Sequence, residues 1–205
     1  MILVVCAVAA ELKAFAPRPG VDVVAVGVGP VEAGIGTLHA IARGRYRYVV
    51  NAGIGGGFRN RANVGDAVAV TDEHYADIGL EGGGALNLPD GITLREHVAS
   101  DDALLASYRK RAGGALFGPG VTSATITTTD RRAQELAARF SPMVESMEGF
   151  AVLAAAARAE IPAIELRGIS NLVGDRAASE WDFRAGAAAT VHALEMFLAA
   201  VATPA

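Results

Sequence analysis

A chain of 205 residues, 52% hydrophobic and 20% charged, can bury a full core, and nothing in it reads as a linker, so a single domain over 1–205 is expected. The net charge of −4 argues against a polymeric nucleic-acid partner, which selects a basic face. A lone cysteine, Cys6, excludes a disulfide framework, and the four scattered histidines (His39, His74, His97, His192) make no metal-ligand spacing with it, so no metal is expected.

Taken in order, Ile2 to Val8 is an unbroken apolar run rich in β-branched residues, as in a central strand buried on both faces. Cys6 within it reads as a small buried hydrophobe. The same N-terminal run lacks a basic leader and meets Glu11 too early for an export signal. Val21 to Gly27 is a second strand ending in GVGP, after which Pro30 opens a helix. Tyr46 to Asn51 reads as a third strand terminating in GIGGGF, and Ala67 to Asp72 as a fourth. The glycine-rich stretch from Asp72 to Ser100 reads as loop with one or two short strands. Asp101 caps a helix to Arg111, Phe117 to Thr127 is a strand, and Thr129 or Asp130 caps a helix through Arg139. Ala185 to Val201 closes the series as a helix; His192 and Glu195 break its apolar character, which argues against a membrane span and for a cytoplasmic protein. Strands alternating with helices imply an α/β fold with a largely parallel sheet and helices on both faces.

Two stretches place polar groups where strands end: VESMEGF (Val144 to Phe150) and RGISNLVGD (Arg167 to Asp175). The first runs into AVLAAAARAE, a helix apolar enough to be buried nearly all round. Glu148 therefore falls at the start of a buried helix, where its plainest role is to serve the helix N-terminus. The second ends the strand AIELRGI with Ser170 and Asn171, at the strand end where open α/β sheets bind ligands. Glycine motifs divide. GVGPVEAG fails the dinucleotide spacing because Glu32 holds its sixth position, and no Walker lysine exists. NAGIGGGF suits a ligand loop whose amides approach a small molecule, with a plain tight turn as the alternative.

Glu11 after the first strand, NAGIGGG after the third, VESMEGFA and RGISNLVGD follow one another over almost the whole chain. This ordered set resembles the nucleosidase and purine-nucleoside phosphorylase superfamily. Within it the likeness is greatest to the futalosine hydrolases of an alternative menaquinone pathway, then to the methylthioadenosine/adenosylhomocysteine nucleosidases. The resemblance implies a three-layer α/β/α sandwich around a mixed sheet, a homodimer or higher homo-oligomer, no cofactor, and a purine nucleoside as small-molecule ligand; no membrane partner is expected from the broken C-terminal run. It also implies roles. Glu11 matches the water-activating glutamate, and Met147 with Glu148 the pair that holds the ribose. Ile54, Gly55 and Gly56 match the loop beside the sugar, Ile126 and Thr127 the segment against the base, and Ser170 lies next to the base-reading position. That position carries aspartate in adenine-cleaving relatives and is Asn171 here.

The chemistry fits these residue types. Breaking an N-glycosidic bond builds positive charge on the ribose and negative charge on the departing purine. Glu148 can accept from ribose hydroxyls, and Glu11 can take the proton of the attacking water. Asn171 cannot titrate, but its amide offers a donor and an acceptor, which matches a 6-oxopurine such as hypoxanthine. A phosphorylase needs a cationic pocket, whereas Glu11 would repel phosphate; only Lys13 and Arg59 lie near in sequence. Arg167 is expected to pair with Glu145 or Glu148. Trp181 and Phe183 read as a lid or as core, and His74, Tyr75 and Asp77 as distant candidates for the substrate's tail. A non-catalytic nucleoside-binding module is the reading of a different class.

Overall fold

The computed structural model describes residues 1–80, 86–178 and 180–202. Its first strand, β1 (Ile2–Cys6), is covered on both faces. Side chains alternate across a strand, so a run without polar residues must meet apolar layers above and below. Val4 and Cys6 face α2 (Asp102–Arg109), α5 (Phe183–Ala202) and the short 3-10 turn Ala9–Leu12. Leu3 and Val5 face α1 (Pro30–Ile41) and α4 (Gly149–Arg158). The expected helix–sheet–helix layering follows.

β1 lies between β2 (Val21–Ala25) and β3 (Tyr48–Gly57), parallel to both. β3 also pairs in parallel with β8 (Ala163–Leu172), which runs antiparallel to β4 (Ala67–Tyr75). β4 is parallel to β6 (Leu116–Thr122), β6 to β7 (Val144–Ser146), and β7 returns antiparallel to β3. Strands β3, β8, β4, β6 and β7 thus close a ring, and one half of the eight-stranded mixed sheet rolls into a barrel. β5 (His97–Ala99) adds to β4 at the edge.

Caps fall where the sequence puts them. Asp101 Oδ1 accepts from the Leu104 amide at 2.9 Å, and Thr129 Oγ1 from the Arg132 amide at 3.3 Å. The glycine segment differs from expectation: β3 does not end at Asn51 but continues as strand through Gly57. The glycines serve close approach rather than a turn, and none of Gly53, Gly55, Gly56 or Gly57 has a positive φ. A Cβ on Gly55 would lie 2.5 Å from Val144 Cγ2 and 2.9 Å from the Glu145 carbonyl, so β7 could not reach β3 past a side chain. β6 stops at Thr122, leaving Ile126 and Thr127 in the loop beyond it. In the Asp72–Ser100 stretch, β4 extends to Tyr75 and β5 is the short strand; positions 81–85 lie outside the described residues.

α5 is long and apolar enough to cross a membrane by length and composition, the one such helix among the described residues, but it packs on β3 and β8 with Leu194 and Phe197 fully buried. It also pins those strands. The buried Thr190 hydroxyl donates to the Gly53 carbonyl at 2.8 Å and accepts from the Gly168 amide at 3.0 Å.

Candidate active site

The ends of β3, β7 and β8 and the loops after β1 and β2 surround a cavity of about 260 Å³. Of the residues singled out from sequence, Glu11, Glu148, Asn171, Ile54, Gly55, Gly56, Ile126, Met147 and Ser170 line it. Thr127 does not. Its amide and hydroxyl donate to the Glu145 carboxylate at 3.2 and 2.5 Å, so it acts one layer behind the wall by holding a buried acid. Burial pushes the Glu145 carboxyl above the usual carboxylate range, partly offset by those two bonds.

The turn Ala9–Leu12 folds Glu11 back over the end of β1. Its Oε2 accepts from the Val8 amide at 3.0 Å and its Oε1 from the Ile54 amide at 2.9 Å, so the carboxylate is fixed from two strand ends while 3% exposed. Glu148 occupies the position just before α4, yet it does not cap that helix. Ser146 Oγ accepts from the Gly149 amide at 3.1 Å and Thr122 Oγ1 from the Phe150 amide at 2.7 Å, which satisfies the helix start by other means. Released from capping, Glu148 Oε1 accepts from the Gly29 amide at 3.0 Å. The GVGP turn, with Gly27 and Gly29 both at positive φ, therefore serves a carboxylate of the protein itself.

Arg167 joins the two acids. Its Nη1 donates to the Ile54 carbonyl at 3.1 Å and lies 3.6 Å from Glu148 Oε2, and its Nε donates to Glu165 Oε1 at 2.7 Å. A Cβ on Gly53 would meet Glu11 Oε1 at 2.6 Å and Arg167 Nη1 at 2.7 Å, so both groups crowd the same face of that glycine. At 1% exposure the guanidinium is held charged, its pKa pushed further up by Glu165, Glu148 and Glu11 despite burial. Of the two partners expected for it, Glu148 is real, Glu145 is taken by Thr127, and Glu165 is the one that sequence reasoning missed. The signal was present: Glu and Arg two apart in an otherwise apolar strand share one face, and such charges are buried only when paired.

Asn171 is held by Ser170, whose hydroxyl donates to Asn171 Oδ1 at 2.9 Å, and by the Leu172 carbonyl, which accepts from Nδ2 at 3.3 Å. An amide has two lone pairs and two N–H bonds, so one acceptor and one donor remain for a ligand. Trp181 and Phe183 line the cavity while 43% and 38% exposed, which places them at its mouth rather than in the core. His74, Tyr75 and Asp77 do not reach it. Tyr75 stacks on Phe150, Asp77 takes Ser123 and Arg132, and His74 meets His97. That last contact shows what linear spacing concealed. The β4–β5 pairing sets His74 opposite His97, and Asp72 Oδ2 lies 3.4 and 3.2 Å from their Nε2 atoms.

A family model for the phosphorylase superfamily matches residues 8–203. The chain belongs to the phosphorylase superfamily. It is 38% identical to a futalosine hydrolase of Streptomyces coelicolor over 183 residues, covering 85% of this chain and 77% of that one. It is 32% identical to the 5'-methylthioadenosine/S-adenosylhomocysteine nucleosidase of Bacillus subtilis, covering 84% and 76%. The fold is similar to the crystal structure of such a nucleosidase from Colwellia psychrerythraea in complex with adenine, with a TM-score of 0.80, 23% identity, and 97% and 94% of the two chains covered.

For a phosphorylase-superfamily member, the charges of this cavity are one-sided. Its ionisable lining side chains are Glu11, Glu145 and Glu148, while Lys13 and Arg59 are exposed and line none of it. The Val8 and Ile54 amides, which could otherwise bind an anion, are occupied by Glu11. The arrangement repels phosphate and suits water as the attacking group.

Proposed function

We propose that the chain hydrolyses the N-glycosidic bond of a purine nucleoside, with futalosine as substrate and hypoxanthine as the base released. The observation that carries this reading is the single cavity onto which two buried carboxylates, Glu11 and Glu148, and one neutral amide, Asn171, all open. Glu11 takes a proton from the attacking water, a role worth about 10²–10⁴-fold in rate. The C1′–N9 electron pair leaves with the purine. Glu148 accepts from the ribose hydroxyls, and these bonds strengthen as positive charge grows on the sugar. Asn171 donates to the 6-oxo group and accepts from a ring N–H, and the departing purine anion takes its proton from solvent water. An amide, unlike a carboxylic acid, gives no proton to the base, which favours hypoxanthine over adenine. The name of the Streptomyces relative supports the same substrate.

The test is free-base release from futalosine, inosine, methylthioadenosine and adenosylhomocysteine, each with and without phosphate. Futalosine turnover independent of phosphate is expected. Faster release from methylthioadenosine would move the assignment to that nucleosidase class, phosphate-dependent release would make it a phosphorylase, and no release from any nucleoside would make it a binding module. A homodimer or larger homo-oligomer belongs to the same proposal, read by light scattering.

A further inference from the structure

Behind the cavity, β4, β8 and the start of α4 enclose two more carboxyl groups, Glu73 and Glu165, both at 0% exposure and neither lining the cavity. Each has one oxygen accounted for. Glu73 Oε2 accepts from the Thr122 hydroxyl at 2.8 Å, and Glu165 Oε1 from Arg167 Nε at 2.7 Å. The other two oxygens, Glu73 Oε1 and Glu165 Oε2, are buried without a close partner, as are the donors Asn51 Nδ2 and Arg167 Nη2; the Asn51 side chain is the donor that offsets the Glu165 charge, and no such donor serves Glu73 Oε1. The two oxygens converge on one spot: a Cβ on Gly149 would lie 2.5 Å from Glu73 Oε1 and 2.6 Å from Glu165 Oε2. Two ionised carboxylates in that setting repel, and each strands an acceptor away from water. A single proton removes one of the two charges and converts one orphan acceptor into a donor.

We propose that Glu73 and Glu165 share one proton, and that the singly charged pair is a positioning element that fixes Arg167 behind Glu11 and Glu148. The proton resides on Glu73. Glu165 holds the guanidinium directly at 2.7 Å, whereas Glu73 has only the Thr122 hydroxyl; burial first, and the Glu165 charge second, push the Glu73 carboxyl well above the usual range, and Arg167 opposes the rise at both acids, with a hydrogen bond at Glu165 alone. The groups facing the pair are Arg167 and Glu148 and, from β4 itself, Asp72; Thr122 and Asn51, the register partner of Glu165 on β3, are the neutral polar neighbours. With Glu73 neutral, Glu11, Glu148 and Glu165 outnumber one guanidinium, which leaves the negative field that an oxocarbenium-like sugar needs. Gly149 is explained as well, since any side chain there would enter the gap between the two carboxyls.

The inference rests on the roles given above to Glu11 and Glu148, so its test includes readouts that need no turnover. Isotope-edited infrared spectroscopy at neutral pH, carried out in a Glu145→Gln background because burial also raises that carboxyl, should show a protonated carboxyl band that disappears when Glu73→Gln is added. Its absence before that addition, or its persistence after it, overturns the shared proton. Gln at 73 mimics a protonated acid, so kcat and its pH profile should stay within about threefold of wild type. Glu165→Gln removes the charge that anchors Arg167 and stands near Glu148; kcat should fall at least about tenfold and the acid limb of its pH profile move to lower pH. A tenfold loss in Glu73→Gln, or an unmoved acid limb in Glu165→Gln, refutes the assignment. Gly149→Ala should lower Tm in the wild type and lower it much less in Glu165→Val; equal losses refute the placement of the pair. If the Glu145→Gln protein shows the band but the wild type cleaves no nucleoside, the roles of Glu11 and Glu148 fall, and the positioning half of the proposal falls with them.

Discussion

Gly53→Ala tests the geometry of the site without replacing any group that does chemistry. The added methyl would stand 2.6 Å from Glu11 Oε1 and 2.7 Å from Arg167 Nη1. Ordinary contact begins near 3.4 Å, so each group must retreat by about 0.7–0.8 Å. Neither can swing into water. Glu11 is tied to the Val8 and Ile54 amides, and Arg167 to the Ile54 carbonyl and Glu165. A displacement approaching 1 Å in a reacting group costs on the order of 10²-fold, which is about 2.7 kcal/mol in the barrier. Overpacking should lower stability by about 1–3 kcal/mol. The assay is hypoxanthine release at saturating futalosine, with circular dichroism to follow unfolding. We expect kcat to fall about 100-fold with KM nearly unchanged, since the Asn171 end of the cavity is undisturbed. A folded Gly53→Ala protein with kcat within about threefold of wild type would refute the claim that Glu11 and Arg167 are locked in place.

Glu11→Gln keeps the shape of the side chain but turns a donor toward the Val8 or Ile54 amide and removes the base. Its kcat should fall about 10²–10⁴-fold, measured by the same base release. Asn171→Asp should raise the ratio of adenine to hypoxanthine release in a competition between adenosine-like and inosine-like substrates; an unchanged ratio removes Asn171 from base selection. Stability should also carry a pH signature from the buried acids. Burial holds the carboxyls of Glu73, Glu165 and Glu145 above the usual range, so the folded state keeps protons that the unfolded chain has released. The stability this confers is complete below the ordinary carboxylate pKa of about 4.3 and is lost as pH rises through the raised values. Differential scanning calorimetry from about pH 5 upward should therefore show a steeper fall of Tm in the wild type than in Glu73→Gln.

The cavity wall was legible in the sequence because its polar residues stand at the ends of apolar runs. Glu11, Glu148 and Asn171 are conspicuous for that reason, and helix caps such as Asp101 act over three residues and are visible locally. What escaped depends on pairing across distance. The continuation of β3 through NAGIGGG is dictated by β7 and β8 pressing on its glycines, which no local preference encodes. The meeting of Asp72, His74 and His97 needs the β4–β5 register, and the approach of Glu73 and Glu165 to the same face of Gly149 needs a barrel closed between strands far apart in sequence. Even Glu148, correctly placed at a helix start, was expected to serve that helix; Ser146 and Thr122 relieve it of the task.

The Thr190 hydroxyl ties a late helix to the glycine behind Glu11. During synthesis Glu11 leaves the ribosome early, but the backbone that aligns it is clamped only when α5 docks some 180 residues later. The nascent protein should therefore carry its base long before it can use it, and a chain arrested ahead of α5 should fold in part and cleave nothing.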